Sequence, residues 1–201
     1  MTIDAVFSNL SSIVGVKSGY PFRGAIVESV DGEALAVQMK DVDPERGVTW
    51  SNVIHTSLAG RKPADWLKAG DVLFISKGAR FYAACIDEPP EPAVCSPHFF
   101  HLRVLSKAPL LPAFLAWQIN QPPFQRLLQQ AAEGSSQLSI RRPVLESLTF
   151  CLPSLADQQR IMALADLARQ ERQTLHQLIH TREQQLQAIA EDLTRTAQAT
   201  H

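Results

Sequence analysis

DQQRIMALADLARQERQTLHQLIHTREQQLQAIAEDLTRT, residues 157–196, contains no glycine and no proline. Gln, Ala, Leu, Arg and Glu dominate it, good helix formers interrupted only by Thr and His. Steps of four and three connect Leu175, Ile179, Arg182, Leu186, Ile189 and Leu193, and the register extends backwards through Arg172, Ala168, Ala165 and Ile161. That spacing predicts one continuous helix with a heptad seam, a coiled-coil pattern. Forty helical residues reach about 60 Å. A helix so long cannot bury its stripe on a compact domain of this chain's size, so it needs a partner helix. Arg172 and Arg182 within the seam weaken a tight zipper and either specify register or face a partner's carboxylates.

Upstream, the pattern changes to short apolar runs separated by turns. Gly24–Glu28 and Ala34–Met39, joined by Asp31-Gly32, predict a hairpin. Val72–Ser76 reads as a fully buried strand, Phe81–Ile86 as another, and Phe99–Leu105 as the strand that closes the sheet. Helices are predicted from Pro112 to Asn120, from Phe124 to Ala132 with a stop at Gly134, and near Pro143, followed by a strand at Leu148–Leu152. The expected fold is α+β: a twisted, mainly antiparallel sheet with short helices in a globular part (residues 1–153), then the long C-terminal helix (residues 154–201).

The totals restrict function. A hydrophobic fraction of 45% supports a packed core, and a net charge of −1 means that any nucleic-acid binding must come from a local basic face. Cys85, Cys95 and Cys151 form no CxxC pair, which points to a reducing compartment and away from a zinc site. No signal peptide or membrane-spanning run is recognisable, so a cytoplasmic location is expected.

One stretch raises the question of catalysis. Asn120-Gln121-Pro122-Pro123-Phe124 is similar to the Asn/Asp-Pro-Pro-Phe/Tyr tetrapeptide of adenine-N6 methyltransferases, which grips a flipped base. Gln stands where Asn or Asp is expected, and no Gly-rich strand-turn for S-adenosylmethionine surrounds it. A proline-bounded junction of two helices explains the same residues. His176 and His180 have an i, i+4 spacing that can hold metal, but no Glu or Cys completes a site. His98 and His101 flank an aromatic pair, where core and DNA-facing roles are both open. Two basic loops remain. Lys77-Gly78-Ala79-Arg80 follows a strand, and Gly134–Arg142 joins hydroxyls, an amide and two guanidinium groups. Such side chains hold phosphates and read base edges.

Five segments, in order, resemble the specificity subunits of type I restriction-modification systems. They are Gly19-Tyr20-Pro21-Phe22-Arg23, Val37–Val42, Leu67-Lys68-Ala69-Gly70-Asp71-Val72-Leu73-Phe74, Gly134–Ile140, and Leu152-Pro153-Ser154-Leu155-Ala156-Asp157-Gln158-Gln159-Arg160-Ile161. Ser154 and Asp157 replace a Pro and a Glu of the family pattern. The family's subunit carries two target recognition domains and two long helices, whereas this sequence has room for one of each, so it resembles a half-subunit.

The resemblance implies a non-catalytic protein in which residues 1–153 read a half-site in double-stranded DNA. The helix would pair with a second copy through Ile161, Leu175, Ile179, Arg182, Leu186, Ile189 and Leu193, and would dock a modification subunit. That partner would bind S-adenosylmethionine and methylate adenine, no cofactor being bound by this chain, and a nuclease-translocase subunit could join for phage defence. Lys77, Arg80, Ser136, Gln137 and Arg141 are the expected DNA contacts, with Tyr20, Arg23 and Arg103 behind them. Three alternatives stay open: pairing with a different half-subunit, a coiled-coil scaffold that binds no DNA, and a minimal methyltransferase built on Asn120–Phe124.

Overall fold

A computed structural model describes residues 5–58, 63–134 and 137–199. The elements are β1 (Ala5–Asn9), α1 (Leu10–Ile13), β2 (Val14–Ser18), β3 (Ala34–Val37), β4 (Val42–Asp43), β5 (Gly47–Val48), β6 (Ile54–Thr56), β7 (Val72–Ile75), β8 (Ala83–Cys85), β9 (Ala93–Cys95), β10 (Phe99–Val104), α2 (Pro112–Asn120), α3 (Pro122–Ala131), α4 (Arg142–Ser147), β11 (Thr149–Pro153) and α5 (Leu155–Ala199). Contacts divide the chain into a unit ending at Met162 and a unit from Ala163 onward.

The main sheet is antiparallel throughout, in the order β2-β10-β7-β8. β7 is buried on both faces, which is why VLFI is apolar without alternation. Val72 and Phe74 face a core that includes Leu10, Leu102, Phe114, Ile119, Leu128 and Phe150. Leu73 and Ile75 face a second core with Leu35, Val37, Ala84, Ile86 and Phe99. The second core is shared with a small sheet ordered β6-β3-β9, in which β3 and β9 run parallel. Gly19 bridges the two sheets: its N–H bonds Phe99 O, and a Cβ there would stand 2.0 Å from Ser96 O, so no larger residue fits this crossing.

Three expectations need correction. The hairpin of Gly24–Glu28 with Ala34–Met39 does not form, because β3 pairs with β6 and β9 instead and residues 24–30 hold no strand. β10 does not close the sheet, since it lies inside it between β2 and β7. Pro122 opens α3 at its first turn, where a missing N–H is harmless. β1 and α1 were invisible as periodic runs, and β1 pairs with β11 from far along the chain.

α5 starts at a side-chain cap. The Ser154 hydroxyl accepts the Asp157 N–H at 3.1 Å and donates to the Asp157 carboxylate at 2.8 Å, so Ser at 154 and an acid at 157 form a natural helix start. The next residue, Gln158, is fully buried. Its amide donates to Pro109 O and Pro153 O at 2.8 and 2.9 Å and accepts the Leu111 N–H at 2.8 Å, anchoring the first turn in the globular unit.

The least avoidable polar site lies at the head of β7. Asp71 is 2% exposed. Its carboxylate accepts Arg103 Nε and Nη2 at 2.7 and 2.6 Å, His101 Nε2 at 2.7 Å and the Lys68 N–H at 2.7 Å. Burial pushes its carboxyl up, but the hydrogen bonds from His101 and Arg103, with the His101 charge and the Lys68 N–H, outweigh it and hold the group at about 2. A carboxyl held below its unfolded value contributes stability above about pH 4 and loses it as pH falls towards 2. That contribution is about 2 kcal/mol. Asp71→Asn should therefore lower unfolding stability at pH 7 by roughly 3 kcal/mol. In urea titrations from pH 7 to 2, the variant should show less of the acid loss between about pH 4 and 2 than the wild type. Equal acid loss in both proteins would contradict this account of Asp71.

Candidate nucleic-acid interface

Two loops that are far apart in sequence are tied together at the C-terminal end of β7. The Gly78 N–H bonds Leu138 O at 3.0 Å, the Ile140 N–H bonds Ser76 O at 2.9 Å, and Lys77 and Ser139 form an antiparallel bridge. Glu133 and Ser139 exchange both backbone bonds, at 3.0 and 2.8 Å, which ties the two ends of this loop together. Gly134 makes that loop possible. It sits at φ +122°, and a Cβ would stand 2.2 Å from Gln137 O. Ile140 is buried and anchors the loop, while side chains on either side of it along extended chain face outward.

The result is an exposed group of Lys77, Arg80, Gln137 and Arg141 around one stitched surface. Lys77 and Arg80 have no ion pair among the described residues. Arg141 is balanced by Glu133 at 2.6 Å, an exposed pair that an incoming phosphate can displace at little cost. Point charges and a forked guanidinium on two rigidly connected loops can hold a phosphate backbone, and the Gln137 amide can reach a base edge. Ser136 lies outside the described residues.

The other expected contacts stand elsewhere. Arg103 is at the opposite end of β7, where its guanidinium is committed to Asp71 and to Trp66 O at 3.0 Å. Tyr20 is buried, its ring edge-on to Phe22 with centroids 4.9 Å apart. Arg23 is exposed on the rim of a separate open cleft of about 230 Å³, lined also by Tyr20, Phe22, Ile26 and Thr56. His101, open to two readings from sequence, is a core residue on Asp71.

The Asn120–Phe124 stretch serves the fold. Asn120 Nδ2 donates to Ala83 O at 2.7 Å and its Oδ1 accepts the Ala83 N–H at 2.9 Å, so the amide completes the outer edge of β8. Phe124 is buried against Phe150 with centroids 4.4 Å apart. Neither the amide nor the ring is free to grip a base, which removes the methyltransferase reading of this tetrapeptide. Among the described residues no group of His, Cys, Asp and Glu could hold a metal ion, and His180 bonds Gln184 along its own helix at 3.0 Å. Burial pushes the Cys95 thiol up to about 12 and the Cys85 thiol up to about 11, so both are unreactive packing groups at neutral pH.

From Ala163 onward, α5 exposes Leu164, Leu167, Leu175, Leu178, Ile179, Leu186 and Ile189, each at least half exposed. Ile161 is different, since it packs on the globular core. Leu164, Leu167 and Leu178 lie off the heptad register and were missed by it. Arg182 is exposed within this stripe, and the Leu193 side chain lies outside the described residues. No helix of the described chain is long and apolar enough to cross a membrane.

No protein-family model and no curated protein matches the sequence. Solved structures do match. The S subunit of a type I restriction-modification system from M. genitalium aligns with a TM-score of 0.54 at 15% identity, covering 85% of this chain and 40% of that one. A chain from a structure of type I R-M complex assembly and conformational transition aligns at 0.58 and 16%, covering 83% and 38%. The HsdS subunit from Thermoanaerobacter tengcongensis aligns at 0.55 and 17%, covering 83% and 37%. The chain thus has the fold of type I specificity subunits, a mixed globular unit followed by a long helix, and spans about 40% of the length of the chains it matches.

The stitched loops can be probed directly. Gly134→Ala should release the 133–139 turn, and the amides of Gly78 and Ile140 should then exchange with deuterium at least about tenfold faster, a local opening rather than global unfolding. Unchanged exchange at both amides would mean that Gly134 does not hold the two loops together.

Proposed function

We propose that this chain is the DNA-reading specificity component of a type I restriction-modification system. The observation that carries the reading is the shared fold with type I S subunits over more than four-fifths of the chain. The tied loops at the end of β7 support it independently, because they present Lys77, Arg80 and Arg141 with an amide, against one acid, Glu133, which pairs with Arg141 at the surface. The globular unit reads one half of a two-part site in double-stranded DNA. A second recognition unit comes from a second copy paired through α5, and a two-fold protein reads a palindromic interrupted sequence. A modification subunit docked on the helices supplies S-adenosylmethionine, extrudes adenine and methylates its N6, and a nuclease-translocase subunit adds restriction. This chain places the chemistry and takes no part in it. The work is done where the host DNA is, in the cytoplasm.

A net charge of −1 is compatible with this, since a half-site reader needs only a local basic face and its partner contributes phosphate contacts. DNA affinity of the chain with its modification subunit should fall steeply with salt. Lys77→Ala and Arg80→Ala should each reduce the slope of log K against log salt by about 1, whereas Gln137→Ala should relax discrimination between sequences more than it lowers overall affinity. Fluorescence anisotropy at several salt concentrations measures both. No measurable DNA affinity at low salt, or co-expression with the modification subunit that leaves host N6-methyladenine unchanged, would favour a scaffold that binds no DNA.

A further inference from the structure

The two tied loops are part of a longer row. The Ser76 N–H and hydroxyl both donate to His98 O at 2.9 Å, so the turn ahead of β10 lies beside the end of β7. The Phe99 N–H closes that turn on Ser96 O at 3.1 Å, and the Ser96 N–H bonds Val37 O at 2.9 Å. The end of β3, followed by Met39 and Lys40, therefore joins the same row. Backbone hydrogen bonds link each chain to the next, from residues 137–141 through the end of β7 and the β9–β10 turn to β3.

The side chains added to the row continue its chemistry. Lys40 is exposed and has no ion pair among the described residues. The acid beside it, Asp41, is 2% exposed and accepts the Gln38 N–H at 2.9 Å. His98 is half-buried, and the tie to Ser76 uses its carbonyl and not its ring. The opposite end of the sheets has the opposite sign. Asp31 and Glu33 precede β3, and Asp87, Glu88 and Glu91 lie between β8 and β9, all exposed. The Ile86 N–H on Asp71 O and the Leu35 N–H on Pro92 O bring these segments to the head of β7, where the exposed Lys68 also stands. Charge is thus segregated along the strands, and a polyanion is drawn to one end and repelled from the other.

Resting on the DNA-reading role proposed above, we propose that the DNA contact extends across both sheets, with Lys40 and His98 as further contact residues. Neighbouring chains lie about 4.8 Å apart, so the row from Lys40 to Arg141 measures roughly 20 Å. That exceeds the width of a major groove, about 12 Å. Lys40 at one end and Arg141 at the other then rest on the two phosphate backbones, and His98 between them faces base edges. An imidazole carries both a donor and an acceptor when neutral, which suits a base edge, whereas the Lys40 ammonium is a point charge for phosphate.

The full-length chain with its modification subunit tests the extension, using a fluorescent duplex of mixed sequence at several salt concentrations. Lys40→Ala should reduce the slope of log K against log salt by about 1, as Lys77→Ala does. Lys68→Ala removes the same charge at the acidic end and should leave the slope unchanged. His98→Ala keeps the carbonyl that bonds Ser76, so the frame is retained, and it should broaden the set of host sequences that carry N6-methyladenine. A wild-type slope in Lys40→Ala with a reduced one in Lys77→Ala overturns the extension and leaves the DNA-reading role in place. So does an equal loss of slope in Lys68→Ala, or an unchanged methylation motif in His98→Ala. Absence of DNA affinity at low salt overturns both the extension and the role on which it rests.

Discussion

A carboxylate removed from water is costly unless its surroundings neutralise and hydrogen-bond it, and Asp71 sets that condition at the head of the central strand. Satisfying it takes donors from three residues: Arg103 and His101 on β10, and the Lys68 N–H in the preceding turn. Arg103 also holds Trp66 O. Because β7 and β10 are paired along their length, fixing one end of β7 fixes where its other end emerges. That other end carries Ser76 and Lys77, the docking point for the 133–141 loop. The polar cluster and the basic loops are thus two ends of one strand, the first giving position and the second presenting chemistry.

Burial of β7 on both faces has a further consequence. A strand that forms two cores carries no exposed side chains, so exposed polar groups are displayed by the loops at its end. The loops gain rigidity from backbone bonds into the sheet extension rather than from packing, with Ile140 as their one deep anchor. A platform of that kind tolerates changes in exposed side chains while the frame below stays constant.

The helix is the opposite case. Its first turns are fastened by the Ser154–Asp157 cap and by the three bonds of Gln158. Beyond them its large apolar side chains stand in solvent. A stripe of exposed leucines on a single helix is stable only with a partner. The helix is therefore formed as an element while its apolar side chains stay unburied.

Much of this was legible in the residues. The absence of Gly and Pro from 157 to 196 marked the long helix, the continuous apolar run marked β7, and prolines marked the starts of α2 and α4. These are local signals, carried by neighbours along the chain, and local physics suffices to read them. The sequence also determined the spacing of the apolar residues along the helix, although which of them stay exposed was decided by the structure. Only the tertiary structure decided which of several similar side chains remain available. Arg103 and Arg141 are equivalent in a sequence, yet one is held by a buried carboxylate and the other by an exposed glutamate. Asn120 resembled a catalytic amide until β8 was seen to occupy it. β3 chose a parallel partner more than fifty residues away over the nearby segment across Asp31-Gly32. Each of these outcomes depends on which distant groups the chain path brings within hydrogen-bond range, and no local pattern of residue types encodes that.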